Sequence, residues 1–383
     1  MTNIPLTIKT PNILTVGDAL IYALLVPGFF VYNLLLVAGA PPVFGGYIGF
    51  LSVMGFLYFI MKYAIGNFDR HFLRRLIPWF ILVLYSICYL LVFISSADAV
   101  PENLYSFINA SIIFIGYLAA FSVINFKCRQ LLAVIITGHA FMTLIVISNV
   151  ERNTFSLGVS DLEVTYQSFG VLYSLSAILL SILIKNTSLS VFILSISIVA
   201  LFFNGARTEF GICLIFLVAF LVQRRALFYL TVPAFLSLLA SERVFRFVEQ
   251  FRGNRIIDLV ETGALGSRTG REQAMHDAWV TIQQNPLLGS PGSYPSGLYA
   301  HNVLSAWVDL GILGMVLYIF LTLQSGIGIY LLKTNADSAG RLIGLALIIA
   351  VLISFLFKAY FYILLAPLIG LAISWRSQGG GSK

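Results

Sequence analysis

SFGVLYSLSAILLSILIKNTSLSVFILSISIVALFFNGARTEFGICLIFLVAFLVQRR (168–225) contains three apolar runs separated by two short polar stretches, KNTS (185–188) and NGARTE (204–209). The runs at 168–184, 189–203 and 210–222 carry no charged residue at all. A helix that is apolar on every side needs an apolar surround, and a bilayer-crossing helix needs about 20 such residues. Read outward from this stretch, similar runs lie at 18–38, 45–64, 76–95, 104–125, 131–148, 168–184, 189–203, 209–222, 226–240, 312–332, 341–357 and 359–375, about twelve spans in all. The composition agrees. Of 383 residues 59% are hydrophobic and only 10% charged, with a mean hydropathy of +0.94, whereas soluble domains carry roughly a quarter charged residues. The expected fold is all-α: a polytopic integral membrane protein with about twelve transmembrane helices and one long extracytoplasmic loop carrying short helices.

Basic residues set the expected orientation. Lys9, Lys62, Arg70, Arg74, Arg75, Lys127, Arg129, Lys185, Arg224, Arg225, Lys333, Arg341, Arg376 and Lys383 all fall on one side of this topology. The positive-inside rule makes that side the cytoplasm and puts both termini there. The opposite side receives 96–103, 149–167, 204–208 and 241–302. The net charge of +7 then reports topology, and a nucleic-acid partner is not expected. The expected organisation is a membrane bundle over 1–240, an outer loop over 241–311, further membrane helices over 312–378, and GGGSK at 379–383 as a linker or tag remnant. No cleavable signal is expected, because the first apolar run is long enough to span. Cys88 and Cys213 fall in spans and Cys128 in an inner loop, so the outer loops have no disulfide framework.

The outer segment 241–302 is where the chemistry is expected. Ser241 can cap a short helix whose Val244, Phe247, Val248 and Phe251 form one apolar stripe, ended by Gly253-Asn254. Such a helix suits either the headgroup layer or the bundle. Thr269 and Glu272 have capping-box spacing, with Thr269 as N-cap. Ala274, Met275, Ala278, Trp279 and Ile282 would share one face, and Asn285-Pro286 would end the helix. Arg271 then lies in the first turn, beside exposed N–H groups and the positive end of the dipole. Prolines 286, 291 and 295 alternate with Gly289, Gly292 and Gly297, which marks an ordered turn region. Asn302 is a natural N-cap for the apolar segment that follows, which puts His301 just outside a helix start. A structural role is the commoner use for a lone histidine there, and proton acceptance is the sharper one.

Arginine is enriched outside. Arg152, Arg207, Arg243, Arg246, Arg252, Arg255, Arg268 and Arg271 lie on the side where the orientation rule disfavours cations. Their planar forks suit phosphate or carboxylate oxygens, with pairing to Glu242, Glu249, Asp258, Glu261, Glu272 and Asp277 as the alternative. In NGARTEFG (204–211), Arg207 and Glu209 sit at the outer membrane edge, where a charge is either functional or held in an ion pair. The remaining intramembrane polar residues are Asp18, His139, Asp309 and Lys358, with His139 expected as a hydrogen-bonded core residue. A proton-driven transporter would need a fuller relay than this. Metal-ligand spacings, a P-loop and GxSxG are all missing from the sequence, so no metal or cofactor is expected.

NGARTEFG, then GREQAMHDAWVTIQQNPLLGSPGSY (270–294), then YAHNVLSAWVDLGILG (299–314) stand in the order found in the O-antigen polymerases and O-antigen ligases of bacterial envelopes. The chain resembles that family over about sixty residues of the loop plus the Arg207 turn, in an arginine opening a helix, an hPLLGxG-like turn, and an HN pair before a Gly-rich helix. It departs from the pattern at His276, where many members have Trp, and at Pro291 inside the glycine turn. The resemblance implies a GT-C-like glycosyltransferase of the bacterial inner membrane. It would transfer glycan from an undecaprenyl-diphosphate carrier on the periplasmic face, without metal, alongside membrane lipids and a chain-length regulator protein. The family's two arginines and histidine carry over to Arg207, Arg271 and His301, and spacing to Pro286 favours Arg271 over Arg268. Glu209 and Asp277 are rival bases to His301. Further substrate-binding candidates are Arg252, Arg255, Arg268, Asn302, Tyr294 and Tyr299, with packing as the other role for the tyrosines. Polymerase is the expected activity. Ligation to lipid A–core is the nearest alternative, and transport of a lipid-linked sugar is the alternative of another class.

Overall fold

The computed structural model describes residues 13–41, 47–65, 70–93, 101–148, 150–151, 154–155, 166–229, 268–294, 300–331 and 338–379. The first helices are α1 (Ile13–Leu25), α2 (Pro27–Val37), α3 (Tyr47–Ile65), α4 (Arg70–Phe93), α5 (Pro101–Val123) and α6 (Arg129–Ser148). They are followed by α7 (Tyr166–Leu183), α8 (Thr187–Asn204), α9 (Arg207–Gln223), α10 (Arg268–Gln284), α11 (Leu304–Tyr330), α12 (Ser338–Phe357) and α13 (Leu365–Gly379). The sole β pairing among the described residues is a two-residue ladder, Val150 with Phe155 and Glu151 with Thr154.

Seven of these helices are long and apolar enough to cross a membrane, or up to eight if α1 and α2, bent by 44°, count as one broken span. Three more of the expected runs correspond to the shorter helices α7, α9 and α13, and 226–240 lies almost wholly outside the described residues. The apolar surface faces outward as well as inward. Leu57, Ile81, Leu84, Leu144, Phe192, Leu313, Phe320 and Leu356 are each more than half exposed, an arrangement that only a lipid surround makes stable. This is a multi-pass membrane protein of the all-α class.

Close backbone contacts hold the bundle together around α5. A Cβ on Gly116 of α5 would stand 2.3 Å from the Ser52 carbonyl oxygen of α3, and one on Gly370 of α13 would stand 2.6 Å from the Leu118 carbonyl oxygen. Small residues at these points bring helix axes close enough for dispersion and polar contacts to work without a hydrophobic driving force. His139 behaves as the sequence suggests. Its Nε2 lies 3.1 Å from Ser197 Oγ of α8, and its ring stacks on Tyr173 of α7 at 4.8 Å.

Contacts between helix termini define two ends of the bundle. At one end Gln223 reaches the Ser338 carbonyl oxygen, Lys127 lies over the Trp375 ring, and Lys62 pairs with Asp18. Arg74, Arg75 and Arg376 meet at that end too. At the other end the starts of α5, α9 and α11 meet the end of α12 and the polar segment 285–294. We call these the basic end and the loop end.

Candidate functional site

The loop end is built on a broken rung in α11. Gly311, with φ 67° and ψ −179°, is non-helical, so the bond that Ile312 N–H would make to the Val308 carbonyl is lost. The turn 286–290 occupies the gap. Ser290 N donates to the Val308 carbonyl oxygen (2.6 Å) and Ile312 N donates to the Pro286 carbonyl oxygen (3.3 Å), so both orphaned groups regain partners. Trp307 Nε1 adds a second bond to the Pro286 carbonyl oxygen at 2.8 Å. Glycine is required on both sides of this contact. A Cβ on Gly311 would stand 2.0 Å from the Leu287 carbonyl oxygen, one on Gly289 would stand 2.4 Å from that of Val308, and both residues have φ near +70°. NPLLGS and DLG are therefore two halves of one backbone joint.

Asp309 secures the rest of the turn. Its Oδ1 accepts Gly292 N (3.2 Å), and its Oδ2 accepts the hydroxyls of Tyr360 (3.1 Å) and Tyr294 (3.4 Å). Asn103, at the start of α5, donates to the carbonyl oxygens of Tyr294 (2.6 Å) and Gly292 (3.3 Å), and the Tyr89 hydroxyl donates to that of Leu288. The segment 286–294 is thereby tied to α4, α5, α11 and the connection between α12 and α13. Tyr294, an expected sugar contact, directs its hydroxyl at Asp309 instead.

The Arg207 turn is formed by its own sequence. Gly205 ends α8 in the left-handed region at φ 67°, and α9 begins at Arg207 with no side-chain cap. Arg207 is thus the first residue of a helix whose N-cap residue, Ala206, offers no capping side chain, a cation beside a positive dipole end. Glu209, also in that first turn, is completely buried. The ion pair open to it in the sequence is interhelical: Oε1 lies 3.3 Å from Lys358 Nζ at the end of α12 and accepts the Tyr362 hydroxyl. A carboxylate enclosed this way anchors the end of α12 to the first turn of α9.

Two helix starts differ from expectation. α10 includes Arg268, so Thr269 lies within the helix rather than at its N-cap. The buried face of α10 is also narrower than the sequence pattern. Ala274, Ala278 and Ile282 are buried against Ala300, Val308, Leu304 and Trp307, while Met275 and Trp279 stay exposed at 37% and 45%. α11 starts at Leu304 with Val303 as its N-cap residue, one position later than Asn302 would set. Asn302 Oδ1 accepts Leu304 N at 3.0 Å, an Asx turn that precedes the helix. Its Nδ2 lies 3.5 Å from Met275 Sδ on α10. His301 is therefore three residues ahead of the helix, where the dipole acts on it less.

These elements share one end of the molecule. Val303 N donates to the Phe355 carbonyl oxygen (2.9 Å), one turn before Lys358, and Tyr360 N donates to Ser305 Oγ (3.1 Å). The 355–362 segment thus touches both the His301–Asn302 turn and the first turn of α9. Arg271 falls in the opening turn of α10, four residues before the Met275 that meets Asn302. The side chains of Arg268 and Arg271 lie outside the described residues, as do Arg252, Arg255, Tyr299 and the proposed helix after Ser241. Asp277, the other rival base, accepts Gln273 Nε2 at 2.7 Å.

The sequence flagged Asp309 and Lys358 as charges inside apolar runs but gave them no role. It gave no sign of Asn103, Tyr360 or Tyr362, because their partners are 51 to 191 residues away. No protein-family model matches the chain, and no curated protein matches it.

Proposed function

We propose that this protein is a glycosyltransferase working at the loop end, one that moves glycan from a polyprenyl-diphosphate carrier onto a lipid-linked repeat unit. The observation that carries this reading is the meeting of three elements at one end of an apolar bundle. A helix opens on Arg207 and another holds Arg271 in its first turn; the His301–Asn302 turn meets the second through Asn302–Met275 and reaches the first by way of α12, through Val303–Phe355 and Lys358–Glu209. Arginine in the first turn of a helix, at the positive end of its dipole, suits a diphosphate, both for binding and for stabilising it as a leaving group. His301 is the base that takes the acceptor hydroxyl proton, a role supported by the occupation of Glu209 and Asp277 in other contacts. The isoprenoid chain of the carrier suits the apolar outer surface of the helices.

The fuller arrangement we infer has twelve spans in a GT-C-like bundle in the bacterial inner membrane. Both termini are cytoplasmic and the loop end is periplasmic, consistent with the positively charged residues gathered at the basic end.

The test is elongation by the purified protein. Given undecaprenyl-diphosphate-linked repeat units alone, it should produce a ladder of longer lipid-linked glycans. Transfer only after lipid A–core is added would make it a ligase, and movement of intact substrate across vesicles without new glycosidic bonds would make it a transporter. Arg207→Ala, Arg271→Ala and His301→Ala should each reduce transfer by at least about a hundredfold while the protein keeps its thermal midpoint. Full activity in Arg207→Ala would remove the diphosphate from this end.

A further inference from the structure

At the basic end a cavity of about 190 Å³ is walled by α4, α11 and α13. That is room for roughly six water molecules at about 30 Å³ each, enough for a phosphate group and its first shell. Its polar lining is Arg74 and Arg75 of α4, Gln324 and Ser325 of α11, and Arg376 of α13; the rest is apolar, including Pro78, Trp79 and Leu321. Among the described residues no carboxylate lines it. Like charges crowded together in a partly apolar space repel one another unless an anion joins them.

Arg376 is the informative group. Its Nε and Nη2 are shut off from solvent and donate to nothing among the described residues. The guanidinium is seated against α11 where the chain has no side chain: a Cβ on Gly328 would stand 2.2 Å from Nη2. Buried guanidinium donors left without acceptors are costly, because each forfeits its hydrogen bonds to water. The buried carboxylate at the same end shows the contrast. Asp18 is fully engaged by Lys62, by the Tyr58 hydroxyl (2.7 Å) and by Asn125 N (3.2 Å). The bundle satisfies one buried charge here and leaves another open beside two more arginines.

We propose that this cavity is a phosphate-binding site, separate from the loop end, in which Arg376 and Arg74 grip the oxygens of a phosphate group while Gln324 and Ser325 supply neutral hydrogen bonds. The apolar wall of Pro78, Trp79 and Leu321 suits the glycerol and acyl start of an anionic lipid, and a free phosphate presents the same oxygens.

The full chain in phosphatidylcholine nanodiscs is given inorganic phosphate, with chloride at equal ionic strength as reference, or is moved to nanodiscs containing phosphatidylglycerol. At least one probe should raise the thermal midpoint above the reference. A rise with inorganic phosphate identifies a soluble source, and a rise with phosphatidylglycerol identifies a lipid headgroup. Arg376→Gln and Arg74→Gln should each weaken the responding probe by about tenfold, the value of one charged hydrogen bond. Gly328→Ala, which keeps every charge and displaces the guanidinium, should weaken it too. Arg129→Gln, which removes an exposed arginine outside the cavity, should respond as the unmodified protein does. Arg74 is exposed, so its variant folds and carries the test even where Arg376→Gln does not. The proposal is overturned if neither probe exceeds the chloride reference, or if Arg74→Gln and Gly328→Ala both respond like the unmodified chain.

Discussion

The two ends of the bundle use the same device differently. At the basic end Asp18 ties α1 to α3 and to the turn before α6, through Lys62, Tyr58 and Asn125. At the loop end Asp309 ties α11 to the 286–294 turn and to Tyr360, while Glu209 ties α9 to Lys358 and Tyr362. In each case a buried carboxylate gathers donors from elements far apart in sequence, which is how a charge survives burial. The difference lies in what else is present. The loop end carries an extra piece of chain wedged into a helix by backbone contact, and this joint brings the His301 turn and α10 to the bundle. Among the described residues the basic end has no such wedge, and its arginines line a cavity instead. Architecture at the loop end thus depends on glycine and buried carboxylates.

The sharpest way to break this comparison is at the joint. Gly311→Val puts a branched side chain where even a Cβ would meet the Leu287 carbonyl oxygen at 2.0 Å, and should cost more than about 4 kcal/mol, seen as loss of monodisperse folded protein. A normal folded yield would mean that the wedge is not seated as described. Next, Lys358→Met leaves Glu209 charged and buried beside Tyr362 alone, at a cost of about 3–5 kcal/mol in thermal or denaturant unfolding. Glu209→Gln combined with Lys358→Met should recover most of that loss; no recovery would show that the two residues act independently. Asn103→Ala strips the donors to Tyr294 and Gly292 and should cost about 1–3 kcal/mol. Proteolysis within 285–294 should rise with it, whereas Asn125→Ala at the basic end should leave that segment protected. The smallest effect is at Gly211 in α9, where a Cβ meets nothing within 4 Å. Gly211→Ala should stabilise by about 0.5–1 kcal/mol, the helix-propensity gain alone, and a loss of stability there would contradict the open space around it.

How much was legible in the sequence depended on the range of the contact involved. The NGAR turn was readable because its instruction is local: Gly205 takes the left-handed cap that ends α8, and α9 starts two residues on. The stop at Asn285-Pro286 was readable for the same reason. The start of α11 lies one residue beyond the one Asn302 suggests, because Asn302 can cap a helix or form an Asx turn, and contact with Phe355 and Met275 selected the turn. The apolar face of α10 was drawn too wide because the sequence cannot show that Trp279 would stand beside Trp307 rather than beneath it. The partners of Glu209 were not legible, because they stand 149 and 153 residues away at Lys358 and Tyr362.

The sequence by itself determined that this is a multi-pass, all-α membrane protein with its polar chain gathered between apolar runs, because bilayer thickness and backbone hydrogen bonding act on each segment separately. It also marked the positions where glycine and charge were unusual. Only the tertiary structure decided what those positions do: that Gly289 and Gly311 form one joint, that Glu209 belongs to Lys358, and that Arg376 faces a cavity holding two other arginines. A glycine or a charge in a sequence records that something must approach it, and the approaching atoms come from helices that only folding brings together.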